Sequence, residues 1–157
     1  MLRRRSLVSS LSGLLLAASL PSVARAQSGK PRVEVWKDPN CGCCKDWIQH
    51  LQANGFEVDT HDTGNAAARA RLGIPEQLGS CHTASVGGYA IEGHVPARDI
   101  HRLLAERPVA IGLSVPGMPI GSPGMDGPAY GGRKDAFDVL LVQRGATVRV
   151  FQRYNKA

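Results

Sequence analysis

Three cysteines in four residues, Cys41, Cys43 and Cys44, lie where the hydrophobic period of the chain changes, and that junction constrains the fold more than any other feature. Ahead of it, residues 32–37 alternate apolar and polar side chains, as a strand with one buried face does. Behind it, Cys44, Trp47, Ile48 and Leu51 recur at helical spacing, so a helix is expected over residues 45–54 with Gly55 as its stop. Asp38-Pro39-Asn40 supply the turn between the two. The thiols are therefore expected at the N-terminal end of a helix that follows a strand.

The pattern continues in the same style. Residues 56–60 read as a second strand, and the Ala-rich residues 65–72 as a short helix ended by Gly73 and Pro75. Residues 83–86 and 89–92 flank Gly87-Gly88 as a hairpin. A helix is expected over 96–106, with Pro96 in its first turn and Ile100, Leu103 and Leu104 on one face. Strand, helix, strand, helix, hairpin, helix, with a cysteine pair after the first strand, is the layout of a thioredoxin-like α/β domain. Beyond it comes a Gly/Pro-rich loop, 112–132, which doubles Pro-Gly-Met, and then a C-terminal β-hairpin extension, 137–142 and 147–154, around Arg144-Gly145.

The N-terminus predicts the compartment. Arg3, Arg4 and Arg5 precede an apolar run over 7–20, followed by Pro21 and by Ala24-Arg25-Ala26, which reads as a secretory signal peptide over residues 1–26 cleaved after Ala26. The run is too short and Ser-rich for a permanent anchor. Arg4-Arg5-Ser6-Leu7-Val8 also fits a loose twin-arginine pattern, but early arginines are common in general secretory signals, and that route is preferred. Removing 26 of 157 residues leaves 131, enough for one domain over 27–157. The cut takes four of nineteen basic residues and none of thirteen acids, so fifteen face thirteen and the net charge falls from +6 to +2. With no Lys/Arg run and few aromatics, the mature chain lacks the electrostatic footprint of a nucleic-acid binder. It has no second apolar segment of spanning length, so no membrane association is expected after cleavage.

A cysteine at a helix N-terminus becomes a thiolate more easily, because free amides and the helix dipole favour negative charge there. Cys41 and Cys44 form a C-x-x-C pair suited to a reversible disulfide, with Cys41 attacking and Cys44 resolving. Cys43 is an additional thiol. Three neighbouring sulfurs make a soft, multidentate set that selects Cu(I), zinc or Fe–S centres over hard cations. Cys81 precedes the strand at 83–86, and in this layout the loop leading into that strand faces the thiol-bearing helix end, so Cys81 is expected to join the cluster. A purely structural use, as two disulfides, is the alternative. Crowding argues against it, since the neighbours Cys43 and Cys44 pair only in a strained ring.

Met118 and Met125 each follow a Pro-Gly turn with no apolar face to fill, and a thioether suits Cu(I) without deprotonation. His94 falls between a strand end and a helix start, where it is either a ligand or a cap or surface residue. His82, beside Cys81, is ranked lower because neighbours in a strand point to opposite faces. His50, His61 and His101 lack a partner motif and are expected to face solvent. Three readings remain open from the residues alone: a copper protein, a metal-free thiol-disulfide oxidoreductase using Cys41 and Cys44, or structural zinc on Cys/His.

Four stretches carry a resemblance: Cys41-Gly42-Cys43-Cys44-Lys45-Asp46-Trp47, Ser80-Cys81-His82-Thr83-Ala84, Tyr89-Ala90-Ile91-Glu92-Gly93-His94-Val95-Pro96, and residues 112–125. Together they resemble the CopG-like periplasmic copper-resistance proteins, a predicted metal-binding family. The resemblance implies a thioredoxin-like fold, a periplasmic location, and copper on a cysteine-bridged, multinuclear site with a role in copper tolerance. It also implies interconversion of Cu(I) and Cu(II), with a copper carrier or electron donor as partner. Carried over position by position, the metal site falls on Cys41, Cys43, Cys44, Cys81, Met118 and Met125, with His94 next and His82 last. Turnover and simple sequestration or transfer are not separated by side-chain identity. The loop is expected to become ordered when metal arrives.

Overall fold

The computed structural model describes residues 29–156. The expected signal peptide over 1–26, its expected cleavage after Ala26 and the twin-arginine pattern lie outside the described residues. The elements are β1 (Arg32–Lys37), α1 (Gly42–Ala53), β2 (Glu57–His61), α2 (Ala66–Leu72), β3 (His82–Val86), β4 (Tyr89–Glu92), α3 (Ala97–Glu106), β5 (Gly112–Ser114), β6 (Phe137–Val142) and β7 (Val148–Tyr154). They form a seven-stranded sheet in the order β2-β1-β3-β4-β5-β6-β7. The first four positions are the thioredoxin-like arrangement: β2 runs parallel to β1, β3 antiparallel to β1, and β4 antiparallel to β3. No helix among the described residues is long and apolar enough to cross a membrane.

The short strand β5 corrects the sequence reading, which placed Gly112 at the start of the loop. Gly112–Ser114 pairs parallel with β4 and antiparallel with β6, so the C-terminal hairpin continues the main sheet through it. A three-residue Gly-Leu-Ser segment shows no period of its own; its strand character comes from the two neighbours that bond it.

Alternation along β3 and β4 assigns the helices to two faces. His82 packs on Trp47 of α1, whereas Thr83 accepts a hydrogen bond from Asn65 at the start of α2. The helices α1 and α3 share the first face: Trp47 Nε1 donates to the Val95 carbonyl at 2.9 Å, and His50 Nε2 accepts the Ala97 amide at 3.1 Å. Val33, Val35, Trp47, Leu51, Ile91, Ile100, Leu103, Leu113 and Leu141 are fully buried in one core cluster. Each large apolar side chain among them contributes about 1.5–3 kcal/mol.

His50 thus departs from its expected solvent-facing place. The first amide of α3 has no partner within its own helix, and the half-buried His50 ring supplies one. Burial lowers its pKa, opposed by Asp126. His61 and His101 are exposed as expected, stacked on Trp36 and Phe56.

The register decides where the thiols meet. Lys37, the last residue of β1, pairs with His82, the first of β3, and Thr83 pairs with Glu92 at the end of β4. Glu92 in turn pairs with Ser114, the end of β5. The chain leaving β1 toward Cys41, the chain arriving through Cys81, the turn at Gly93-His94 and the Gly/Pro-rich loop therefore all emerge at one end of the sheet.

Candidate metal centre

Cys41 is the N-cap of α1, and Cys43 and Cys44 lie in its first turn. The helix begins three residues earlier than its apolar period implied, because Asp38 turns the chain back: its carbonyl accepts the Cys41 amide and its carboxylate accepts the Asn40 amide. Cys41 and Cys44 are joined by a disulfide, with Cα atoms 5.3 Å apart. Cys43 and Cys81 are free thiols. Cys43 Sγ lies 3.6 Å from Cys41 Sγ and 3.8 Å from Cys81 Sγ, and Cys44 Sγ lies 3.5 Å from Cys81 Sγ. All four sulfurs fall within 4.8 Å of one another. Cys81 has joined the cluster across the sheet end. Burial pushes its thiol up to about 12, reinforced by Cys43.

Two histidines complete the pocket. His82 Nδ1 lies 3.3 Å and His94 Nε2 3.2 Å from Cys81 Sγ, and both rings are fully buried. Burial lowers both pKa values; in His82 the neighbouring His94 adds to the effect, and in His94 the Pro123 carbonyl and Asp126 oppose it. Both rings are thus neutral at pH 7. His94 Nδ1 donates to the Pro123 carbonyl at 2.8 Å, which leaves the Nε2 lone pair facing Cys81. His82 Nε2 is buried without a partner among the described residues. His82 lies as near to Cys81 as His94 does because Cys81 precedes β3, so strand alternation does not separate the two side chains.

The methionines are placed differently from each other. Met118 is 52% exposed and lines a shallow groove with Ser80, Cys81 and Gly117. Met125 is buried, and its Sδ accepts the Tyr130 hydroxyl at 3.2 Å. The two Pro-Gly turns dock on the two thiol-bearing segments. In the first, Gly117 donates to the Gly79 carbonyl and accepts from the Ser80 hydroxyl, one residue before Cys81. In the second, Gly124 lies against α1, where a Cβ would meet the Cys43 carbonyl at 2.7 Å and the Trp47 amide at 2.8 Å. Backbone bonds such as Gly121 to Met125 and Asp135 to Ile120 close the rest of the loop.

A polar group that the sequence reading did not single out holds Cys81 from behind. Glu92, fully buried, accepts from Arg69 Nε at 2.9 Å, the Ser80 amide at 2.6 Å and the Thr83 hydroxyl at 2.6 Å. Arg69 and Asn65 donate to the Ser80 carbonyl, so the backbone just before Cys81 is bonded on both sides. Burial raises the Glu92 pKa despite these partners. The signal was present: Glu92 ends an otherwise apolar strand, and a buried carboxylate demands partners.

The donor set suits a soft or borderline ion, since thiols and neutral imidazoles converge and neither cluster contains a carboxylate. The fold has solved relatives. A solved structure named copper resistance protein CopG, form 2, matches with 48% identity and a TM-score of 0.73, over 80% of this chain and 98% of that one. The chain belongs to the CopG family. A second CopG structure, form 1, matches at 47% identity with a TM-score of 0.74, over 81% of this chain and 99% of that one. Residues 78–125 match a family described as a protein of unknown function, DUF411. That stretch holds Cys81, His82, His94, Met118 and Met125 and leaves the α1 thiols of this CopG-family chain outside it. No curated protein matches the chain.

Proposed function

We propose that this CopG-family chain handles copper in the periplasm, holding it on Cys41, Cys43, Cys44 and Cys81 and interconverting Cu(I) and Cu(II). The observation that carries the reading is the convergence of four sulfurs and two neutral imidazoles at one sheet end, in a chain related to proteins named for copper resistance. With the disulfide reduced, the sulfurs form a donor set that favours Cu(I) and can bridge more than one ion; the imidazoles of His94 and His82 bring Cu(II) within reach. Met118, at the rim of the groove beside Cys81, acts as the outer soft donor. The buried Met125 holds the loop. The signal segment 1–26 supports the periplasmic assignment, and a copper carrier or electron donor is the expected partner.

Elemental analysis of the reduced protein beside Cys43→Ser tests this. The expected result is more than one copper per chain in the parent and loss of most of it in the variant. Copper absent from both overturns the proposal. The Cys41–Cys44 disulfide favours a second reading, a metal-free thiol-disulfide oxidoreductase. That reading requires Cys43→Ser to exchange disulfides at the parent rate and to work without Met118.

A further inference from the structure

The end of the sheet opposite the thiols carries a second concave surface. There the β3–β4 turn at Gly87-Gly88, the segment 107–110 between α3 and β5, and the turn leaving β6 at Gln143-Arg144 border a cavity of about 460 Å³. Small-ligand pockets span roughly 300–1,000 Å³. No Asp or Glu lines this one, and its ionic groups are the guanidiniums of Arg107 and Arg144. Neither takes part in the ion pairs of the described residues. Val109, on the same lining, is 91% exposed, the most exposed large apolar side chain among the described residues. We propose that this cavity binds a small organic dianion, a dicarboxylate with an apolar middle. One acid group lies on each guanidinium and the apolar part lies on Pro108 and Val109. The cavity shares no residue with the metal centre, so the inference is independent of the function proposed above.

The backbone at Arg107 is a second, independent sign. Arg107 is the C-cap of α3 and has φ +47°, in the left-handed region. Helices commonly end there on glycine, because an L side chain is strained in that conformation. Strain of this kind gathers at ligand clamps, where the side chain itself is needed. Here it accompanies a guanidinium held over the face of Tyr89, 5.9 Å from the ring centroid, on the cavity lining. The walls are fixed from behind. The Tyr89 hydroxyl donates to the Pro108 carbonyl at 2.8 Å, the Ala90 amide to the Ile111 carbonyl at 2.9 Å, and the Gln143 amide to the Thr147 carbonyl at 2.8 Å. Binding therefore has little besides two arginine side chains to order, which keeps its entropic cost low. Guanidinium forks match carboxylates bidentately, and unneutralised charge in a concave surface draws anions toward it. An inorganic anion would satisfy the charge and leave Pro108 and Val109 uncovered, so an organic diacid is the better match. Binding moves no proton and no electron.

Phthalate is the probe, since it carries two carboxylates on an apolar ring. It is titrated at low salt into the exported protein, purified without added metal, and followed by amide nitrogen–proton correlation spectra. A Kd on the order of 1 mM is expected for a ligand of about a dozen heavy atoms. The amide signals of Gly87, Gly88, Val109 and Gln143 should move, while those of Cys81 and His94 stay in place. Inorganic phosphate supplies the charge alone and benzyl alcohol the ring alone; each should bind at least about tenfold more weakly. Arg144→Gln, in an exposed turn, should weaken phthalate binding about tenfold, and Val109→Ser about threefold. Arg107→Gly should also cost about tenfold in binding without lowering the urea midpoint, because glycine relieves the left-handed strain. Arg144→Gln carries the test if Arg107→Gly loses its fold. The inference is overturned by the absence of shifts at about tenfold above that Kd, by shifts confined to the thiol end, or by binding indifferent to both arginines. Phosphate binding as tightly as phthalate would likewise overturn it.

Discussion

Replacing Gly124 by alanine separates two costs that the loop imposes at the thiol end. Gly124 has φ +85°, where an L side chain is strained by about 1–2 kcal/mol. Part of that, about 0.4–1 kcal/mol, is returned by the lower entropy of the unfolded alanine chain. Gly117 is its internal control: it has φ +69°, but an added Cβ would meet nothing within 4 Å, so Gly117→Ala should cost only about 0.5–1 kcal/mol. At Gly124 the Cβ would also stand 2.7 Å from the Cys43 carbonyl and 2.8 Å from the Trp47 amide. Both are backbone atoms of a helix and cannot swing aside, so the loop must lift, adding about 1–3 kcal/mol. The total for Gly124→Ala is about 2–4 kcal/mol. Urea unfolding measures it: with a slope near 2 kcal/mol/M, the midpoint should fall by about 1–2 M, against less than about 0.5 M for Gly117→Ala. Lifting the loop also draws the Pro123 carbonyl from His94, so the Gly124 variant should bind metal more weakly than the Gly117 variant. Equal midpoint shifts for the two variants would refute the claim that this turn is pinned on α1.

Three further predictions concern the groups around the pocket. Arg69→Ala leaves the buried Glu92 carboxylate without its cation and should cost about 3 kcal/mol in urea unfolding, whereas adding Glu92→Gln to it should recover part of the loss; no recovery would show that the charge is not the cause. His50, His82 and His94 all have lowered pKa values, so below their ordinary value of 6.5 the unfolded chain binds protons that the folded chain refuses. Their contribution is complete above about pH 6.5 and is lost as pH falls toward their folded values, while the raised carboxyls of Glu92 and Asp99 act in the opposite sense. His50→Gln, which keeps an acceptor for the Ala97 amide, should therefore flatten the fall in stability as pH drops below about 6.5; an unchanged slope would exclude His50. Met118→Ala should change stability by less than about 0.5 kcal/mol and Met125→Ala by about 2 kcal/mol, and comparable losses would contradict their different burial.

Much of this architecture could be read from one dimension because its signals are local. The alternation of residues 32–37, the helical spacing of Cys44, Trp47, Ile48 and Leu51, and the turn at Gly87-Gly88 each act within one element, and the elements formed where those patterns lie. The C-x-x-C spacing likewise anticipated the Cys41–Cys44 disulfide, because three residues at a helix start bring the two Cα atoms to 5.3 Å. Strand β5 and the capping role of His50 were not legible, since each exists only through a partner distant in sequence: β4 and β6 for the strand, the Ala97 amide for the ring. The approach of His82 to Cys81 was hidden for a subtler reason. Alternation applies inside a strand, and Cys81 lies one residue outside it.

The sequence by itself determined which groups are available: four thiols, two methionines in Pro-Gly turns, and histidines beside Cys81 and after Glu92. It also determined the α/β order, because hydrophobic period is a property of neighbouring residues. Only the tertiary structure decided which of those groups meet. The pairing of Lys37 with His82 and of Thr83 with Glu92 brings four chain segments to one end of the sheet, and burial there lowers the pKa of both imidazoles and raises that of Cys81. Register and desolvation arise from contacts between residues far apart in the chain, so no local pattern encodes them.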